Sequence, residues 1–171
     1  MKITDVKLRF AKHYLFVQVY TDAGIVGLGE AGNWGYLQAT AAAIEKFATY
    51  LIGKDPFRIE DYNQNFLRSV YFRGSVIMSA ISAIDIALWD IKGKLAGMPV
   101  YDLLGGKCRE GIALYRHADG KNWEEVRDCI YGYVEEGYRY IRCHMGLYGG
   151  NLDSRQVLVK PENAPEGAYY N

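Results

Sequence analysis

The stretch that decides the fold is residues 77–99, which read IMSAISAIDIALWDIKGKLAGMP. Its larger apolar side chains recur at steps of four and three residues, the spacing of one face of an α-helix. Gly97 and Pro99 close the stretch, as is typical of a helix end. The pattern predicts a long helix with one apolar face turned to a core, formed by Ile77, Ile81, Ile84, Leu88, Ile91 and Leu95.

Three charged residues, Asp85, Asp90 and Lys92, lie on or near the flanks of this apolar face. Charges at such positions usually face solvent or pair with neighbours on the helix surface. We therefore interpret all three as structural charges and exclude them from the candidate catalytic residues.

The residues before this helix predict an antiparallel sheet and two further helices. Two strands are expected over 15–20 and 25–30, with turn-forming residues between them, and 3–10 supplies a third strand. The helical spacing returns over 37–51, and a shorter, less regular helix is expected over 57–71. The first part of the chain therefore predicts an α+β arrangement.

A different pattern begins after residue 110. Residues 111–115 form a short apolar strand candidate, and 138–143 is a second extended segment. Between them, Asn122 followed by Glu125 resembles a capping box at a helix start. The order strand, helix, strand predicts one βαβ unit, which further strands would have to extend.

The composition excludes several classes of protein. Half of the residues are hydrophobic and 14% are aromatic, which is typical of a packed globular chain. Twenty basic side chains balance twenty acidic ones, so we expect no nucleic-acid or membrane partner. Three cysteines without CxxC spacing indicate neither disulfides nor a zinc cluster. With no signal-like or membrane-length apolar run, we expect a cytoplasmic protein.

Several motifs together resemble a known family. Four motifs resemble the capping-domain signature of the mandelate racemase and muconate lactonizing enzyme group of the enolase superfamily. They are Phe72-Arg73-Gly74, SAIDIALWDIKGK at 82–94, GMPVY at 97–101 and LLGG at 103–106. Three flanking motifs are similar to the same family: GLGE at 27–30, GKDP at 53–56 and YRH at 115–117.

The resemblance implies both a fold and a reaction. We expect an α+β capping domain (antiparallel sheet plus helices) over 1–110, followed over 111–171 by the first βαβ unit of an incomplete, truncated (β/α) barrel. Family members remove a proton α to a carboxylate, and Mg²⁺ stabilises the enediolate. Acid-sugar dehydratases then eliminate water to give a 2-keto-3-deoxy sugar acid. Their metal carboxylates come from later barrel strands, so we expect no metal ligand here and an inactive isolated chain.

The resemblance also implies catalytic residues. The second barrel strand reads IRCH at 141–144, with Arg142 where many members carry a lysine pair. This is similar to the mannonate/galactonate-type dehydratase branch, in which an arginine acts with a nearby tyrosine. Tyr148 is the nearest such tyrosine, and Tyr169 or Tyr170 is an alternative. His117 matches a histidine at the end of the first strand that contacts substrate.

Residue chemistry adds three candidate substrate contacts. His144 lies two residues after Arg142, so both are expected on one side of the strand, and histidine can exchange protons near neutrality. Asn33 and Trp34 lie in a loop between Gly32 and Gly35, which suits a flap that closes on a small ligand. Structural roles remain open for these positions: an ion pair for Arg142, a hydrogen-bonded histidine at 144 and local aromatic packing for Trp34.

Other functions remain as alternatives. A racemase or epimerase of the same superfamily, or a non-catalytic truncated module for binding or assembly, would fit the same residues. Gly27-x-Gly29-x-x-Gly32 also fits the dinucleotide-binding fingerprint, but it follows an antiparallel hairpin instead of opening a βαβ unit. The family resemblance further implies a homo-oligomer with a small-molecule sugar acid as its ligand.

Overall fold

The computed structural model describes residues 1–69 and 71–145. The chain divides after Cys108 into two compact units. The first unit contains a three-stranded antiparallel sheet, as predicted, with β2 between β1 and β3. Its strands are β1 (Ile3–Ala11), β2 (Tyr14–Thr21) and β3 (Val26–Ala31).

Helices cover the inner face of this sheet and enclose the core. The long helix predicted from residues 77–99 is confirmed, and eight of its residues, including Ile84 and Ile91, are buried. Leu95, which was expected on the buried face, is instead 54% exposed in the last turn of the helix, and Ile77 is only partly buried. The second helix is shorter than predicted, and a four-residue helix was not predicted. The helices are α1 (Leu37–Leu51), α2 (Ile59–Arg68), α3 (Ser75–Ala96) and α4 (Val100–Leu103).

Strand β3 and helix α3 approach each other through two glycines. A Cβ atom added at Gly29 would lie 1.9 Å from the carbonyl oxygen of Ala83, and one at Gly27 would lie 2.1 Å from that of Ala87. These distances are far below van der Waals contact, so only glycine fits at either position. The Gly-x-Gly pattern is therefore explained by helix packing and not by phosphate binding.

The outer edge of β3 is covered by polar side chains of α3. The carboxylate of Asp90 accepts a hydrogen bond from the backbone N–H of Leu28 at 2.8 Å. The ammonium of Lys94 donates to the carbonyl of Val26 at 2.7 Å and pairs with Asp90 at 2.6 Å. These contacts satisfy backbone groups that an edge strand would otherwise present to solvent.

The other predicted structural charges of α3 are also partnered. Asp85 accepts a hydrogen bond from the amide of Asn63 at 2.7 Å. The ammonium of Lys92 lies 4.6 Å from the centre of the Trp89 ring. Each of the three charges therefore has a partner in the first unit, and their exclusion from the catalytic residues stays a prediction.

The second unit contains the predicted βαβ arrangement, but its strands begin later than expected. Residues 111–114 are exposed and outside regular structure, so the first strand predicted at 111–115 is wrong. The observed strand lies at Tyr115–Gly120 because of packing, since Ala118 is fully buried and Gly120 lies against the helix Trp123–Glu135. The elements are β4 (Tyr115–Gly120), α5 (Trp123–Glu135) and β5 (Tyr140–Met145), with β4 and β5 parallel.

The end of α5 explains why β5 starts at residue 140 and not at the predicted 138. Gly137 adopts a φ of 92° and its N–H donates to Val134, while the N–H of Tyr138 donates to the carbonyl of Tyr133. This pair of bonds is a typical helix C-terminal motif. Residues 137 and 138 are therefore used to end the helix.

The predicted capping box at the start of α5 provides a test of this unit. The side chain of Asn122 accepts from the N–H of Glu125 at 2.9 Å, and the Glu125 carboxylate accepts from the N–H of Lys121 at 2.8 Å. We expect Asn122→Ala to lower the local opening free energy of α5 by about 1 kcal/mol. Amide hydrogen exchange of α5 would measure it. Asn122→Asp retains an acceptor, and equal losses in both variants would contradict the capping role.

Candidate active site

Two predicted site residues lie side by side on the parallel strand pair. His117 of β4 is the register partner of Arg142 of β5, and Asp119 is the partner of His144. Neighbouring strands are about 4.8 Å apart, and partners on them share a face of the sheet. The fold therefore places His117 and Arg142 at neighbouring backbone positions on one face of the strand pair. His117 is the third residue of its strand, so its expected place at the strand end is corrected.

The surroundings of His117 include residues outside the predicted site. Its half-buried ring lies 5.0 Å from the ring of Tyr115, which precedes it by two residues on the same strand face. Asp119 follows two residues later and is exposed. The two-residue period of a strand, counted from His117, is the signal that would have identified both. Arg142 is exposed on the neighbouring strand.

The opposite face of β4 carries an arginine with a structural role. The guanidinium carbon of Arg116 lies 4.4 Å from the ring centre of Tyr133 and 5.2 Å from that of Tyr138. Hydrogen bonds to Tyr133 and then Tyr138 raise the pKa of Arg116 above its usual value. Arg116 thus links β4 to α5 through Tyr133 and to the residues that follow α5 through Tyr138. His117 and Arg142 lie on the opposite face of the strand pair.

The loop that carries Asn33 and Trp34 is a tight turn in the first unit. The N–H of Tyr36 donates to the carbonyl of Asn33 at 3.0 Å, and Gly35 adopts a φ of 79°. Trp34 is 73% exposed at the corner of this turn, and its ring stacks 6.1 Å from that of His13. His13 had no expected role, because only the tertiary fold places the β1–β2 turn beside this loop.

Two predicted site positions are only partly or not at all described. His144 belongs to β5 by its backbone, and Tyr148 lies outside the described residues.

Within 1–69 and 71–145, no group of three or more His, Cys, Asp or Glu side chains could hold a metal ion. These residues therefore do not fit an Mg²⁺ cage. In the same part of the chain, no helix is both long and apolar enough to cross a membrane.

The architecture defines the class of protein. The first unit, an antiparallel sheet backed by helices, has the α+β architecture expected of a capping domain, and the second unit has the βαβ arrangement expected at the start of a barrel. Residues 4–105 match the family model described as mandelate racemase / muconate lactonizing enzyme, N-terminal domain. The chain belongs to this family.

Relatives with known sequences share much of the chain. It is 56% identical over 141 residues to a D-galactonate dehydratase family member of Enterocloster bolteae, covering 81% of this chain and 35% of the relative. It is 49% identical over 162 residues to another from Salmonella enteritidis, covering 88% and 39%. The chain thus spans less than half of the length of these relatives.

Solved structures agree with the fold. An enolase from Pantoea ananatis with bound D-gluconate and Mg is 51% identical with a TM-score of 0.80, covering 87% of this chain and 38% of that one. A member of the enolase superfamily from Salmonella Typhimurium is 32% identical with a TM-score of 0.75, covering 82% and 41%.

Proposed function

We propose that the complete protein is a sugar-acid dehydratase. The reaction breaks the C2–H bond of a 2,3-dihydroxy acid and then the C3–O bond, releasing water and leaving an enol that becomes the 2-keto-3-deoxy acid. The observation that carries the proposal is the register pairing of His117 with Arg142 on one strand face. The names of the relatives and the D-gluconate bound in the Pantoea ananatis structure support the same substrate class.

Each residue has a proposed role in this reaction. A guanidinium stays protonated in proteins and has no free site for a further proton, so Arg142 is proposed to act through its charge, which would lower the pKa of a partner tyrosine, proposed as Tyr148. The tyrosinate would remove the C2 proton. His117 and His144 are proposed to contact the substrate from the strand face. Mg²⁺ is proposed as cofactor from the Pantoea ananatis relative, with ligands outside the described residues.

Two residues of the first unit, Asn33 and Trp34, are also proposed as substrate contacts from their residue chemistry. Asn33 is proposed to hydrogen-bond a substrate hydroxyl, and Trp34 to cover the ligand and exclude water. An exposed indole at the corner of a short turn suits that covering role. The whole protein is further proposed to be a homo-oligomer in the cytoplasm.

The function is tested by assaying the full-length protein against D-galactonate, D-gluconate and D-mannonate. We expect a 2-keto-3-deoxy product with Mg²⁺ and none after chelation with EDTA. Exchange of the C2 proton in D₂O without loss of water would instead identify a racemase or epimerase. The absence of both exchange and product with every acid would contradict the proposal.

We propose that the 171-residue chain alone is inactive and lacks a tight Mg²⁺ site, because the family resemblance places the metal carboxylates on later barrel strands; the residues at 1–69 and 71–145 hold no ligand set for this ion. Calorimetric titration with Mg²⁺ is the measurement. A stoichiometric site of micromolar affinity would contradict this expectation.

A further inference from the structure

Thr40 is one of two buried polar side chains in the described part of the chain, and it is fully inaccessible. It lies in the first turn of α1. Its hydroxyl donates to the carbonyl of Tyr36 at 3.1 Å, a bond that threonine often makes to the residue four positions earlier in a helix. It also accepts from the side-chain amide of Asn33 at 3.3 Å. Helix chemistry does not explain this second bond, because Asn33 precedes the helix.

The two bonds have a fixed direction. A backbone carbonyl can only accept, so the single proton of the Thr40 hydroxyl is committed to Tyr36. The hydroxyl oxygen can then only accept from Asn33, which must present its NH₂ group to Thr40. The amide oxygen of Asn33 consequently points away from Thr40. It has no hydrogen-bond partner among the described residues.

The turn that carries Asn33 is held by the same contacts. The backbone carbonyl of Asn33 accepts from the N–H of Tyr36, and the carbonyl of Tyr36 accepts from Thr40. One buried hydroxyl therefore links both ends of the 33–36 turn to α1. Trp34 projects from the middle of this turn.

We propose that Thr40 is a positioning residue that fixes the amide of Asn33 as a hydrogen-bond acceptor for a substrate hydroxyl group. This inference rests on the proposed function and adds the chemistry of one contact. An outward amide oxygen can accept from a hydroxyl of a polyhydroxy acid, and the second N–H of the same amide remains available as a donor. The amide oxygen of Asn33 is therefore proposed to contact a hydroxyl of the ligand.

The first test is made on the 171-residue chain by measuring hydrogen exchange of the Asn33 side-chain NH₂ by NMR. We expect Thr40→Val to speed this exchange at least fivefold and Thr40→Ser to preserve wild-type protection. Thr21→Val is the matched control, because it also removes a buried hydroxyl bound to a carbonyl, that of Ile25 at 2.8 Å, but in a different turn. Equal exchange in Thr40→Val and Thr21→Val would overturn the proposal, and this result does not depend on catalysis.

The second test uses steady-state kinetics of the full-length protein with the sugar acid that it converts. Loss of one positioned hydrogen bond predicts a rise in KM of about fivefold to tenfold in Thr40→Val, with kcat little changed and wild-type kinetics in Thr40→Ser and Thr21→Val. In an Asn33→Ala background, Thr40→Val should have no further effect. A full additional effect there would show that Thr40 acts by another route and overturn the proposal. Failure to convert any sugar acid would overturn the proposed function and the substrate contact, while the exchange result would still decide the positioning of Asn33.

Discussion

Replacing Gly29 with alanine is expected to lower the free energy of unfolding of the first unit by about 3 kcal/mol. The new methyl group would lie 1.9 Å from the carbonyl oxygen of Ala83, and this neighbour is helix backbone that no side-chain rotation can move. Either β3 or α3 must shift, and the shift disturbs the core that both elements share, including Ile84 and Ile91. Urea denaturation followed by far-UV circular dichroism would measure the loss.

Gly32→Ala is the matched control for this substitution. Gly32 belongs to the same Gly-x-Gly-x-x-Gly pattern, but a Cβ atom there would meet nothing within 4 Å. We expect Gly32→Ala to change stability by less than about 0.5 kcal/mol. If both variants unfolded at the same urea concentration, close packing would not be the reason for the glycine at position 29.

Replacing Arg142 with lysine is expected to reduce kcat of the full-length protein by about 100-fold or more. Lysine keeps the positive charge but loses the planar group with several fixed N–H donors, so it would hold a partner tyrosine less well. A loss of this size in kcat, with little change in KM, would place the guanidinium at the reacting centre. The pH dependence of kcat should also move to higher pH, because the tyrosine would ionise less readily.

Arg116→Lys controls for the general effect of replacing a strand arginine in this unit. Arg116 contacts Tyr133 and Tyr138 on the other face of β4, so its substitution should cost stability and leave kcat close to wild type. The catalytic proposal for Arg142 would be abandoned if Arg142→Lys kept wild-type kcat. It would also be abandoned if that variant lost activity only in proportion to unfolded protein.

The sequence predicted those elements whose pattern reflects local geometry. The apolar face of α3 could be predicted because its buried residues repeat with the helical period. The cap formed by Asn122 could be predicted because its partner, Glu125, is three residues away. The start of β4 could not be predicted in this way. Residues 111–114 are apolar but exposed, whereas the strand contains RHAD at 116–119, whose place is fixed by packing against α5.

The candidate site shows the same division between local and long-range information. The alignment of His117 with Arg142 depends on the register of two strands that a helix separates, so the residues could be selected but their pairing could not. The stacking of His13 on Trp34 joins turns about twenty residues apart. The bond from Asn33 to Thr40 requires the exact entry of the chain into α1, which single-sequence patterns do not specify.

The side-chain cover of β3 bears on how copies of this chain behave at high concentration. An exposed strand edge recruits strands from other molecules, and such recruitment leads to polymers. In this chain, a strand from a second molecule would first have to displace the carboxylate of Asp90 from the N–H of Leu28 and the ammonium of Lys94 from the carbonyl of Val26. The displaced carboxylate and ammonium would then lie against an incoming peptide backbone. Two charged side chains of a helix thus occupy the N–H of Leu28 and the carbonyl of Val26, which an added strand would need for pairing.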